Sequence, residues 1–437
     1  MLNVINMKKS VIAVAFLVSM FTIQCKTDDG KKEERSSEEI VLKNTTKDSL
    51  FDKTVEIVRS KLNIADSSKF PVLTFNEKQI PLQLSDTNSD GAWDEIFLVV
   101  DFAPEEEKTF KLDWVNEQPE YPIRTGVRFG KRETEEDPVK HATEATLTKS
   151  EMPAKQGFQK YQTDGPSWEN DKVGFRQYLD GRYSKDVFGK KISKISPEDV
   201  GINKDSAVED TYHVMEDWGR DILAVGNSVG MGGFALMVND TVQRLGALVT
   251  DTISNVERTE FRIQEEGPVR SILAYDYKDW SAGGNSYDVK ETTSIWPGIY
   301  GFKNTVAISG LQGNEKLLVG LVNINNQNSL MEIEVNEDWV ALITHDHQTY
   351  DREWILGLAL ILPRESYEGY IDAPKTGQLT DSFLAKLNVQ EEKPVSYYVI
   401  AGWELSEEPR FSNAEFFRNY VVSAAKQLSA EVEITVK

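Results

Sequence analysis

From Val41 onward the chain is cut into short runs rich in Val, Ile, Phe, Tyr and Trp, each closed by Gly, Asp, Asn or Pro. Side chains of an extended strand alternate between two faces, so runs of this kind bury one face and turn at the breakers. Residues 54–58, 96–102, 109–114, 269–277, 316–324, 354–362, 397–403 and 430–436 all read as strands, and no repeat of fixed period is present. Only residues 412–428 carry apolar side chains at helical spacing, with Phe416, Tyr420, Val421 and Ala424 on one face. The expectation is a mainly β fold, a large antiparallel β-sandwich of sheets packed face to face, with a C-terminal helix.

The first nine residues include Lys8 and Lys9, and an apolar run over 11–23 ends at Cys25, the single cysteine. Such a run is too short for a membrane-spanning helix and has the layout of a secretory signal. Residues 1–24 therefore read as a lipoprotein signal peptide and Cys25 as the residue that receives lipid, although Thr22-Ile23-Gln24-Cys25 departs from the usual small-residue box. Residues 25–39 are too charged to bury anything and read as an acidic disordered tether. An acidic stretch behind a lipidated cysteine resembles an export tag for the outer face of a Gram-negative outer membrane, so cell-surface placement is expected, with the periplasmic face as the alternative. The remaining segment, 40–437, is long enough for one large β-sandwich domain. A net charge of −22 speaks against a nucleic-acid partner, and an anionic ligand would need a local cluster of Arg and Lys.

Between Arg124 and Gly233 the alternation becomes irregular, and function concentrates in irregular segments on a rigid scaffold. Tyr161, Asp164, Trp168, Arg176, Tyr178 and Arg182 crowd into two adjoining stretches. Aromatic rings there can stack on a sugar, and planar Arg groups can hold a carboxylate or sulfate through two parallel bonds. The competing reading makes Phe175, Tyr178 and Leu179 core residues and pairs Arg176 or Arg182 with Asp180 or Asp186. Further on, a helix over 212–223 would line up His213, Asp217 and Asp221 at four-residue spacing, with Asp217 orienting the imidazole. The glycines over 226–233 lack a phosphate-loop ending and read as tight turns.

His345 and His347 alternate in a strand-like segment, so both could face one way and share a metal, but no third ligand is visible. His347 also suits the rim of a substrate cleft. Asp86, Asn88, Asp90 and Asp94 match the first half of a calcium loop, whose twelfth position is Phe97 rather than Glu. Either the loop holds a structural calcium or it is an Asp-Gly hairpin turn; no other metal or cofactor is expected. No serine-nucleophile elbow, zinc-protease helix, Walker loop or dinucleotide fingerprint occurs.

Tyr161-Gln-Thr-Asp-Gly-Pro-Ser-Trp-Glu, the block from Phe175 to Arg182 with Asp186-Val-Phe-Gly-Lys, and Tyr212-His-Val-Met-Glu-Asp-Trp-Gly-Arg-Asp-Ile-Leu resemble the signature blocks of the lipoprotein family catalogued as domain of unknown function 4861. Asp94-Glu95 and Glu266-Gly-Pro-Val-Arg270 extend the resemblance over most of the chain. The resemblance implies a galactose-mutarotase or polysaccharide-lyase type of supersandwich, and similarity to ulvan oligosaccharide dehydratases of marine polysaccharide-utilisation clusters. Such an enzyme, a carbon-oxygen lyase, removes water from a glucuronic or iduronic acid at the non-reducing end and leaves a 4,5-unsaturated residue. Its partner is an anionic oligosaccharide. That chemistry needs a base for the C5 proton, a cation or donors for the developing enolate, and an acid for the departing 4-hydroxyl. By residue type the expected roles are His213 as base, Arg176 or Arg182 as carboxylate clamp and Tyr161 or Tyr178 as acid. Trp168 would be the stacking platform, Asp217 would orient His213, and Asp164 and His347 would touch substrate. A non-catalytic sugar-binding lipoprotein, or a depolymerising lyase or mutarotase-like enzyme, remains the alternative.

Overall fold

Alternating burial gives each sheet of the computed structural model an inner and an outer face. The structure describes residues 38–64, 68–88, 90–151, 158–248 and 250–437; the signal peptide, Cys25 and the tether up to residue 37 lie outside the described residues. Glu38 and Glu39, assigned to the tether from sequence, already pair with Leu112 and Lys111 within the strand Glu38–Asn44. Ile40 and Leu42, both fully buried two and four residues on, hold that strand in place.

The chain first builds a small sandwich. One sheet has the order Val432–Val436, Glu38–Asn44, Glu107–Val115, Phe70–Phe75, Lys78–Gln79, and the other Leu50–Val58, Glu95–Phe102, Leu82–Ser85. Ile40, Leu42, Leu73, Ile96, Leu98 and Phe110 fill the space between them. The last strand of the chain thus closes the sheet begun by the first described one.

The larger assembly rests on a nine-stranded antiparallel sheet running Glu144–Thr148, Val256–Glu266, Ser271–Ala282, Asn285–Ile295, Gly301–Ser309, Val395–Trp403, Leu356–Pro363, Trp339–Asp346, Met331–Glu334. Its inner face, with Tyr275, Tyr277, Phe302 and Tyr397, shares one continuous core with two five-stranded sheets. One of these contains Phe234–Val238 and Lys316–Val322; the other contains Ser167–Asn170, Gly174–Gln177 and Lys185–Lys190. Phe302 meets Trp168 and Phe175 edge to face at 5.3 and 4.6 Å, which fixes the latter sheet on the nine-stranded one. The architecture is mainly β and antiparallel, as the strand periodicity requires.

The outer face of the nine-stranded sheet receives the helix Ala414–Ser429, whose first turn is capped by the Asn413 side chain accepting from Phe416 N–H. Gly357 and Gly402 are paired across neighbouring strands, and a Cβ at either would collide with the Phe417 ring. The two glycines therefore form the depression into which Phe417 fits, fully buried. Phe417→Ala should cost about 3–5 kcal/mol through lost contacts and the cavity left over two residues that cannot fill it. A lowered denaturant midpoint with an unchanged slope is the expected result.

Candidate functional site

The five-stranded sheet that carries the site is Gly219–Asp221, Lys185–Lys190, Gly174–Gln177, Ser167–Asn170, Thr125–Arg128. Its inner face contributes Trp168, Phe175 and Val187 to the core, so alternation turns Arg176 and Asp186, which lie opposite each other in register, to the other face. Arg176 is fully buried. Its Nη2 touches the Asp186 carboxylate, lies 2.8 Å from Asp221 Oδ2 and donates to the Tyr178 hydroxyl at 2.6 Å, while Nη1 donates to the Thr163 carbonyl at 3.1 Å. One guanidinium thus serves two buried carboxyl groups, and the Tyr178 hydroxyl donates to Asp186 at 2.9 Å. Burial, reinforced by the charge of Asp186 and opposed by Arg176, pushes Asp221 up to about 8.

His213 stands on the solvent side of this cluster. Its Nδ1 is 3.5 Å from Asp221 Oδ2, and its side chain keeps 46% of its surface exposed. Partial burial first, then the positive charge of Arg176, hold the imidazole below its usual range, so the neutral ring prevails at pH 7. Segment 212–218 is not the helix that the spacing suggested. Tyr212 and Trp218 both insert beside Phe188 and Val200, which a regular helix could not allow, and Asp221 N–H bonds back to the Tyr212 carbonyl at 2.9 Å. Gly219 has a φ of 141° against Gly189, whose carbonyl a Cβ would strike. Asp217 is accordingly exposed and makes no contact with the imidazole; Asp221, from the following strand, is the carboxylate beside it.

Three further groups flank the ring. Tyr212 packs at 4.7 Å between ring centres, and its hydroxyl donates to Asp210 at 2.8 Å and lies 3.3 Å from Asp164 Oδ2. Asp164 has a positive φ of 59° and a carboxyl raised by burial against the opposing charge of Arg176. Tyr350 stacks on His213 at 6.1 Å with its own ring 57% exposed. Its backbone N–H bonds the Ile222 carbonyl at 2.8 Å, next to the bridge between Leu223 and Thr349. No spacing could pair Tyr350 with His213, since the two meet only after the sheets assemble. Arg182 lies over the Tyr178 ring at 3.7 Å and is held by Asp180 through Nε at 2.8 Å and Nη2 at 2.5 Å.

Several expected roles do not survive this geometry. Trp168 is 1% exposed and wedged between Phe175 and Phe302, so it cannot be a stacking platform. Arg176 spends its donors inside the protein and cannot clamp a substrate carboxylate. Tyr161 is buried with its ring stacked on Phe129 at 5.4 Å, and burial raises its phenol above the usual range. Tyr178 is likewise committed to Arg176 and Asp186. His345 and His347 part company because the strand ends at Asp346, whose carboxylate accepts from the N–H groups of Gln327, Asn328 and His347. His345 is buried with Nε2 2.7 Å from the Phe411 carbonyl, and His347 is exposed on the segment leading to Tyr350. In the Asp86–Asp94 loop the carboxylates of Asp86 and Asp94 accept backbone N–H groups of Asp90, Gly91, Thr87 and Asn88, as in a side-chain-stabilised turn. Among the described residues no three His, Cys, Asp or Glu side chains converge as a metal site.

Arg176→Ala strands two carboxylates in a buried setting and should cost about 3–5 kcal/mol. Thermal unfolding and circular dichroism should therefore register the change even with no sugar present.

The sequence is 23% identical over 405 residues to a protein of Formosa agariphila described as uncharacterized protein P7, covering 88% of this chain and 89% of that one. Two solved structures from Enterococcus faecalis also align. A protein in the glycosyl hydrolase family 38 has a TM-score of 0.46 and 11% identity over 91% of this chain and 47% of its own. An alpha-mannosidase has a TM-score of 0.42 and 10% identity over 91% of this chain and 46% of its own. The chain spans about half the length of these solved structures. The profile of the domain of unknown function DUF4861 matches residues 42–434, and the chain belongs to that family.

Proposed function

We propose that this protein is an exo-acting oligosaccharide dehydratase, removing water from a non-reducing-end glucuronic or iduronic acid of an ulvan-type anionic polysaccharide fragment. The observation that carries the reading is a half-exposed imidazole, His213, with Nδ1 3.5 Å from the buried carboxyl group of Asp221. An imidazole held below its usual range by partial burial can accept a weakly acidic proton near neutral pH.

In the reaction His213 takes the proton from C5, the C–H electrons form the C4=C5 bond, and the C4–O bond breaks. The leaving hydroxyl departs as water after accepting a proton from an acid. Asp164, raised by burial and linked to the Tyr212 hydroxyl, is the group suited to supply it. Arg182, partly exposed at the rim, replaces Arg176 as partner of the sugar carboxylate, and the open ring of Tyr350 replaces Trp168 as the stacking surface. His347 lies on the segment that leads to Tyr350 and can touch substrate there.

Saturated uronate-ended oligosaccharides incubated with the protein should gain ultraviolet absorbance and lose the mass of one water. His213→Ala should lower kcat by about 10²–10⁴-fold and leave binding intact. Because the base works only when neutral and its pKa is held below 6.5, kcat/KM should fall on the acid side as the pH drops below that value, and fall again on the alkaline side where Asp164 loses the proton it must donate. Retained binding with no product from ulvan, pectin or glycosaminoglycan fragments would instead identify a sugar-binding protein, and chain cleavage without water loss a depolymerising lyase.

The same reading places the protein outside the cytoplasm, on the outer membrane, held by lipid on Cys25. Labelled palmitate should enter the wild-type chain and not Cys25→Ala; equal labelling of both would remove the anchor from the account.

A further inference from the structure

A second cleft, unrelated to His213, opens where the strand Leu50–Val58 of the small sandwich faces the outer side of the nine-stranded sheet. It encloses about 410 Å³, within the range of about 300–1,000 Å³ usual for small-molecule sites, and adjoins a smaller cavity of about 200 Å³ that shares Lys53, Thr54, Trp296 and Leu428.

Register explains its chemistry. Ser294 pairs with Lys303 and Lys303 with Tyr398, so these three side chains stand in one row across adjacent strands. Thr293, Asn304 and Tyr397, one position on, are fully buried on the inner face. An outer face covered by another layer would ordinarily be apolar; here it offers hydroxyls, an ammonium and two aromatic rings. Trp296 and Tyr398 meet edge to face at 6.2 Å.

The charges in the cleft are unevenly placed. Arg270 is surrounded by Glu56, Glu95 and Glu265 at 3.3, 2.7 and 3.1 Å, so that end carries the surplus carboxylate. The Lys303 side chain makes no ion pair or hydrogen bond among the described residues. Lys53 reaches only the Gln427 carbonyl at 2.7 Å, and burial pulls its ammonium down to about 8. A half-buried ammonium without a carboxylate is costly unless an anion completes it. Two such groups line the cleft with no carboxylate in ion-pair contact, and it is at them, rather than at the acidic end around Arg270, that an anion is favoured.

We propose that this cleft is a second, non-catalytic binding site for an anionic sugar unit, its carboxylate or sulfate held between Lys53 and Lys303 and its C–H face lying over the Tyr398 ring, which Trp296 supports edge to face. The inference rests on the cleft alone and stands whether or not His213 is a base.

Calorimetry and tryptophan fluorescence on the purified protein, with digalacturonate, glucose 6-sulfate and cellobiose as probes, test it. Lys303→Gln should weaken binding of the acidic probes at one site by about tenfold, the loss of one charge-assisted contact. Its thermal midpoint should be unchanged, because Lys303 has no partner to lose. Tyr398→Leu, which removes the ring, should weaken the same site, and His213→Ala should leave it intact. The two acidic probes separate carboxylate from sulfate recognition. Equal affinity and stoichiometry in wild type and Lys303→Gln, equally tight binding of neutral cellobiose, or no binding of any probe into the millimolar range would each overturn the proposal.

Discussion

A single buried guanidinium holds the site together. Arg176 joins three neighbouring strands through Asp186 and Asp221, and each of its carboxylate partners would be intolerable at that depth without it. With Asp221 pushed up to about 8, Asp186 balances the cation near neutrality, and the Asp221 carboxyl, held by the same guanidinium, reaches outward to the imidazole of His213. The interaction that makes the sheet stable is therefore also what holds a carboxyl group behind the candidate base. Stability and the geometry of the candidate site cannot be separated at Arg176, whereas His213 is half-exposed and outside that buried cluster.

The same economy of buried charge recurs deeper in the sandwich. Lys185 from the site-bearing sheet meets Glu291 from the nine-stranded sheet, and Tyr277 and Asn304 donate to the same carboxylate at 2.8 Å each. A satisfied polar network at a sheet interface fixes one relative placement where apolar packing would tolerate several. With Phe302 against Trp168 and Phe175, it sets the angle from which the Arg176 face looks out toward the loop bearing Tyr350.

Local patterns and long-range assembly divide the legible from the illegible. The strand expected over 316–324 forms as Lys316–Val322, and the helix expected over 412–428 as Ala414–Ser429, because alternation and helical spacing are properties of consecutive residues. His213 and Asp221 were drawn together from sequence on the assumption of a helix; they do meet, but through a turn pinned by Tyr212 and Trp218 and a return strand at Gly219. The assumed helix also selected Asp217, which the turn sends to solvent. Aromatic and Arg residues between 161 and 183 looked like a sugar platform, yet the sheet they form is covered on both faces, so Trp168 and Arg176 became interior. Composition cannot distinguish a ring that stacks on a ligand from one that stacks on a core, since both need the same apolar face.

The sequence by itself determined the class of fold, the C-terminal helix, the absence of several familiar catalytic motifs and the segment within which the candidate base lies, because each follows from short-range periodicity or residue type. Only the tertiary structure decided which Arg is buried and which is at the rim, that Asp221 rather than Asp217 backs His213, that Tyr350 closes the ring's other side, and that Lys53 and Lys303 line one cleft. Each of those depends on which face of one sheet another layer covers, and that is fixed by packing between segments far apart in the chain.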